Sequence, residues 1–149
     1  MIIAKNIEDA RKQIDKLSKE SKKITVLGGD DDFNRKILEM KKVSILLSPE
    51  HGHSHDSLKQ RDSGLNHVLC NLAKENNIAI GINFNNLNKE RIELVKWLGR
   101  IMQNIKLCRK AGVRIMLFNN NMSKNETRSF LLSLGMSTEQ AKETIDASQ

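Results

Sequence analysis

Short apolar runs alternate along the chain with stretches in which apolar residues recur every three or four positions. The runs at 1–5, 23–27, 43–47, 78–83 and 113–118 read as strands, and the last three are continuously apolar, as strands covered on both faces are. Helices fill the intervals. Residues 7–20 carry Ile7, Ala10, Ile14 and Leu17 on one face, and 32–41 follow a Gly-Gly-Asp turn with Asp30 or Asp31 as the N-cap. In 65–76, Leu65, Val68, Leu69, Leu72 and Ala73 fall at the spacing i, i+3, i+4, i+7, i+8. The longest helix, 89–110, is closed by Gly112, and 125–134 and 138–147 finish the chain on either side of Gly135. Ser137 and Gln140 have the spacing of a capping box. Strand and helix in strict alternation predict an α/β domain with a parallel sheet, spanning 1–149 as one unit.

Residues 49–63 form the least patterned segment, leaving the C-terminal end of a strand, where parallel α/β folds bind ligands and partners. The long helix gives the clearest charge signal. At 100° per residue Leu94, Leu98, Ile101 and Ile105 share a narrow arc that faces the core. Lys96, Arg100, Lys106 and Lys110 project from the opposite side toward solvent, with Arg109 near the boundary. No acidic residue occurs from Leu94 to Asn125, although Arg114 adds a further positive charge there. Ordinary helix surfaces mix signs.

Composition sharpens this picture. The formal net charge is +7, which suits nucleic acid or an acidic surface. Four Phe, one Trp and no Tyr argue against a platform of stacking aromatics, so RNA binding would run mainly through phosphates. No apolar run approaches the ~20 residues of a membrane-spanning helix. The first residues turn charged too early for a secretory signal. Cys70 and Cys108 fall at apolar stripes and read as small core residues in a reducing, cytoplasmic setting.

Two motifs offer chemistry. In Glu50-His51-Gly52-His53-Ser54-His55-Asp56, three alternate histidines beside two carboxylates have the donor types of a divalent-metal site, with His51, His53, His55 and Asp56 as its ligands. That donor set defines one alternative function, a metal-dependent phosphoester hydrolase. All the donors lie in one segment, however, whereas barrel metal sites draw on several strand ends, so a solvated polar loop is the favoured reading. Nucleophilic or phosphate-cradling motifs are missing, and Gly28-Gly29 followed by Asp30-Asp31-Asp32 repels phosphate. The second motif is Arg61-Asp62-Ser63-Gly64-Leu65-Asn66-His67. It reads as a helix start capped by Asp62 or Ser63, with Gly64 allowing close backbone approach, Arg61 ahead of the helix N-terminus and His67 off the apolar arc.

Taken with Val43-Ser44-Ile45-Leu46-Leu47-Ser48-Pro49 before it and Asn77-Ile78-Ala79-Ile80-Gly81-Ile82-Asn83 after it, the run from Arg61 to Leu69 resembles archaeal ribonuclease P protein component 3. This is the counterpart of the thirty-kilodalton eukaryotic subunit. The likeness extends through Val113–Phe118 to Leu134-Gly135-Met136-Ser137 and Ala141, and thins before residue 43, where Asn34-Arg35 ahead of Ile37 matches best. The resemblance implies a TIM-barrel-like fold, here reduced or incomplete because five strands are in view and the family's first strand–helix segments are expected to be missing. It implies a protein cofactor of a ribonucleoprotein endonuclease, not catalytic alone, that assists the catalytic RNA in removing the 5′ leader of precursor tRNA. Its partners would be ribonuclease P RNA, precursor tRNA and a small ferredoxin-like protein subunit. No cofactor is expected on the protein itself, since the RNA and magnesium act in the holoenzyme. No catalytic residue is assigned. The residues expected to meet RNA or a partner are Arg35, Lys59, Arg61, His67, Lys96, Arg100, Lys106, Lys110 and Arg114.

Overall fold

In the computed structural model, residues 1–20, 23–52, 56 and 61–148 are described. Four strands, β1 (Thr25–Leu27), β2 (Ile45–Leu47), β3 (Ala79–Asn83) and β4 (Ile115–Phe118), form one parallel sheet in the order of the chain. Among the described residues six α-helices accompany them: α1 (Ile7–Leu17), α2 (Asp31–Leu38), α3 (His67–Glu75), α4 (Arg91–Ala111), α5 (Lys124–Ser133) and α6 (Thr138–Ala147). Sequential order without reversal is the arrangement of successive units of a (β/α)8 barrel, not of a doubly wound sheet. Among the described residues the sheet remains open.

Register explains the packing. Val26, Leu46, Ile80 and Ile115 stand in one row across the sheet, and all are buried in the same cluster as Ile14, Ile37, Leu69, Ile101 and Ile105 from the helices. The next row brings Leu47, Gly81 and Met116 to the other face. Gly81 makes room there, because a Cβ would lie 2.8 Å from Leu47 Cδ1 and 3.1 Å from Phe118 Cε2.

Several expected boundaries move for identifiable reasons. The first strand shrinks to a single bridge between Ile2 and Val26. The Asn6 side chain accepts from Asp9 N–H and starts α1 immediately, leaving Ile2 alone to pair and bury. Helix α3 begins at His67 with Asn66 as its cap, not Asp62 or Ser63. Gly64 takes φ +72° with its Cα against the Pro49 carbonyl, so the chain turns there, and Leu65 is buried before the helix starts. In α6 Ser137 caps as expected, but the Gln140 side chain donates to the Ile105 carbonyl at 3.3 Å instead of reaching back. The reciprocal capping box belongs to α5, between Ser123 and Glu126. Helix α4 centres its buried arc on Trp97, Ile101, Asn104, Ile105 and Cys108, with Leu94 and Leu98 half-buried at its edge. Cys70 and Cys108 are buried free thiols. No helix among the described residues is long and apolar enough to cross a membrane.

Candidate nucleic-acid interface

The loops at the C-terminal edge of the sheet are fastened by buried polar groups. Asn34 of α2 is fully buried. Its Oδ1 accepts from Gly29 N–H at 2.8 Å, and its Nδ2 donates to the carbonyls of Pro49 (2.9 Å) and Gly64 (3.2 Å). One amide thereby ties together three loop segments. Beside it, Glu50 sits in the short 3-10 turn Pro49–Gly52, almost wholly buried, and accepts from Trp97 Nε1 of α4 at 2.9 Å. Burial pushes the Glu50 carboxyl above the usual carboxylate range, against the pull of its backbone N–H and of the Trp97 indole.

Arg100 is where the structure overturns the sequence expectation. Its side chain does not point to solvent: it is 9% exposed, and its Nε and Nη2 donate to Asp56 Oδ1 at 3.2 and 3.1 Å. The same carboxylate oxygen accepts from Asp62 N–H at 2.9 Å, and that bond, followed by Arg100, holds Asp56 below its ordinary pKa. The buried arc of α4 is wider than the four aliphatic residues indicated, and it takes Arg100 with it. Glu50 and Asp56, the two carboxylates of the histidine-rich run, are therefore engaged with α4 of the chain itself. His51 is exposed, while His53 and His55 lie outside the described residues. Among the described residues no three His, Cys, Asp or Glu side chains gather as a metal site.

The other expected contact residues separate into groups. Lys59 lies outside the described residues. Arg35 is exposed on α2 and pairs with Glu39 at 3.2 Å. His67 is exposed at the first turn of α3. Lys96 pairs with Glu93 at 3.1 Å. Arg114 donates to Asn77 Oδ1 at 2.9 Å just before β4 begins, at the opposite edge of the sheet from the fastened loops. Among the described residues, only Arg61, Lys106 and Lys110 of the expected set come together, joined by Arg109.

These four cations line a groove of about 850 Å³ between the outward face of α4 and the turn joining α5 to α6. Met102 and Leu107 contribute apolar surface within it, and Leu134 and Gly135 form its far wall. Arg109 spans the groove's end, its Nη1 donating to the Gly135 carbonyl at 3.2 Å. Arg61 crosses α4 at Gly99, a glycine that is buried on an otherwise outward face because the guanidinium lies on it. A Cβ at Gly99 would coincide with that guanidinium. The Arg61 backbone is held in place as well, its carbonyl accepting from Gln103 Nε2 at 3.2 Å. Gly99 and Trp97 escaped the sequence reading, although a glycine inside a helix costs about 1 kcal/mol relative to alanine and so marks a close approach. Toward its N-terminus the same face carries exposed Ile92 and Val95.

An open parallel sheet wound in chain order, with its edge loops pinned to one long helix whose outward face carries a cationic groove, defines a barrel-related α/β domain. The family model for RNase P subunit p30 matches residues 1–149. The chain belongs to that family. It is 36% identical over 117 residues to ribonuclease P protein component 3 of Methanococcus maripaludis, covering 78% of this chain and 47% of that protein. The namesake of Methanocaldococcus jannaschii is 32% identical over 126 residues (82% and 51%). The one from Methanothermobacter thermautotrophicus is 28% identical over 152 residues, covering 97% and 59%. The chain thus spans about half the length of the curated relatives it matches. A chain in the cryo-EM structure of archaeal ribonuclease P with mature tRNA superposes with a TM-score of 0.78 at 28% identity, over 96% of this chain and 62% of that one.

Proposed function

We propose that the chain acts as an RNA-binding subunit of ribonuclease P, helping the catalytic RNA to remove the 5′ leader from precursor tRNA. The observation that carries this is the cationic groove on α4, found in a member of a ribonuclease P family. The chain binds and orients; cleavage belongs to the RNA and to magnesium that the RNA holds. Its partners in this reading are ribonuclease P RNA, precursor tRNA and the small ferredoxin-like subunit, in the cytoplasm. The match to a chain from a particle holding tRNA supports an RNA partner. The same matches favour this reading over a phosphoester hydrolase built on His51, His53, His55 and Asp56.

Phosphate neutralisation makes a measurable demand. Affinity for precursor tRNA and for ribonuclease P RNA should fall steeply as salt rises, the log–log slope being about −0.7 per contacted phosphate on single strands and steeper on helices. Titration at several salt concentrations, alongside cleavage by a reconstituted particle with and without the chain, tests it. Salt-independent affinity, or a particle indifferent to the chain, overturns the reading.

A further inference from the structure

The groove on α4 differs from three other grooves of the described surface in what its walls offer a ligand. The one beside α2 includes Asp30 and Asp32, whose carboxylates repel anions. The one after β4 is lined by Asn119, Asn120 and Asn121 with a single cation, Lys124, paired to Asp146 at 3.4 Å. The one around Arg114 also holds cations without a carboxylate, Lys23, Lys41 and Arg114, but it measures about 460 Å³, roughly half the volume of the α4 groove, and its arginine is held by Asn77. On α4, four cations line about 850 Å³ with no carboxylate among the lining residues. Lys106 and Lys110 are exposed and stand four residues apart, about 5–6 Å at Cβ, on one side of the helix. Met102 and Leu107 add apolar surface to the same groove.

We infer that this groove binds a single-stranded RNA segment, its phosphates on Lys106, Lys110 and Arg61 and an unstacked base or ribose on Met102 and Leu107. The assignment rests on the RNA-binding reading and narrows it to one place and one form of RNA. Paired RNA presents phosphates without free bases, whereas a single strand uses both cations and apolar floor. Arg61 is the residue whose placement is built. Gly99 beneath it has no side chain to displace the guanidinium, Gln103 holds its carbonyl, and Asp56, clamped by Arg100, holds the N–H of the next residue. Gly99 is therefore a positioning residue: it acts on RNA only through Arg61.

The test uses the chain as it stands and a fluorescein-labelled oligouridine followed by anisotropy. Lys106→Ala with Lys110→Ala should weaken binding about tenfold or more, as expected for two lost charge-assisted contacts. The same pair should flatten the salt slope by about 1.4, or 0.7 for each phosphate released. Lys12→Ala with Lys142→Ala removes the same charge from exposed positions outside the groove and should change affinity by less than about twofold. Gly99→Ala should weaken binding as much as Arg61→Ala, and the double variant no further than Arg61→Ala alone. A photoreactive benzoylphenylalanine at position 102 should crosslink to RNA in the reconstituted particle. Equal losses from the two lysine pairs, additive losses from Gly99→Ala and Arg61→Ala, or crosslinking of position 102 to a protein subunit each overturn the groove assignment. Those results leave the RNA-binding reading standing if precursor tRNA still binds with steep salt dependence. If the oligouridine does not bind while precursor tRNA does, the single-strand assignment alone falls; if neither binds, both readings fall.

Discussion

Arg100 and Lys106 occupy the same helix less than two turns apart, and the molecule uses them in opposite ways. Arg100 turns inward and is closed over by Asp56, a residue 44 positions earlier in the chain. Lys106 turns outward into the groove, with no hydrogen-bond or ion-pair partner among the described residues. The helix has no acid of its own beyond Glu93, so each cation depends on what the loops bring to it. The loop beginning at Glu50 brings a carboxylate, Asp56, to the inner side and a further cation, Arg61, to the outer one. A run of basic residues on one helix is thus not one surface: part of it fastens the fold, and part is left for a ligand.

Removing each cation in turn is the strongest way to break this comparison. Arg100→Ala strips a buried guanidinium and leaves Asp62 N–H as the hydrogen-bond donor to Asp56 among the described residues, with the Arg61 charge nearby. Breaking a fully buried pair costs about 3–5 kcal/mol, and because Asp56 is 33% exposed the expected loss is nearer 2–4 kcal/mol. Lys106→Ala should stay within about 0.5 kcal/mol. Thermal melts of the two variants decide the matter. Equal losses would mean that the groove lysine is also structural, and a neutral Arg100→Ala would return that arginine to the surface.

The neighbouring Glu50 sharpens the inner half of the comparison through pH. Its pKa is raised by burial, so the folded chain holds the proton more tightly than the unfolded chain does. The stabilisation this gives is complete below the unfolded value, about 4.3, and is lost as pH rises through the higher folded value. Glu50→Gln keeps an acceptor for Trp97 Nε1 and removes the titration. The variant should match wild type near pH 4 and become progressively the more stable of the two toward neutrality. Parallel melting curves across that range are the measurement; a gap that stays constant, or opens in the wild type's favour, would show that the Glu50 charge is accommodated at no cost.

How much of this was legible beforehand depends on how local each cause was. The strands β2, β3 and β4 were readable because continuous apolar runs such as Ile78–Ile82 leave few alternatives, and the end of α4 because Gly112 adopts φ +67° there. The fate of Arg100 was not readable. Helical angles placed it opposite Leu94 and Leu98, but those two lie at the margin of the core, whose centre is Trp97, Ile101 and Asn104. Asn104 misleads by its polarity: it is buried, its Nδ2 donating to the Ser63 carbonyl at 3.0 Å. The start of α3 was misplaced for a similar reason, since Leu65 has helical spacing yet is buried by the turn at Gly64. Of the expected contact residues, Arg61, Lys106 and Lys110 converge because α4 carries two of them and its glycine admits the third. Arg35 and Arg114 do not converge with them, because an α2 surface and the start of β4 lie elsewhere on the fold.

The finest distinction falls between two consecutive residues, Gly99 and Arg100. Both are buried, the arginine by the core side and the glycine by a single arginine laid across it from the loop. If Gly99 were a packing glycine, a methyl group there would strike rigid neighbours and destabilise the protein. All three of the nearest atoms that a Cβ would meet belong to the Arg61 guanidinium group, the far end of a flexible side chain. Gly99→Ala should therefore displace Arg61 at little cost while gaining up to about 1 kcal/mol of helix propensity. The melting temperature is expected to hold or rise slightly even as affinity for single-stranded RNA falls, the trade that a binding position makes and a packing position does not. A loss of more than about 1 kcal/mol in the same melts would assign Gly99 to the core alongside Arg100, and the division of α4 into an inner structural face and an outer binding face would move by one residue.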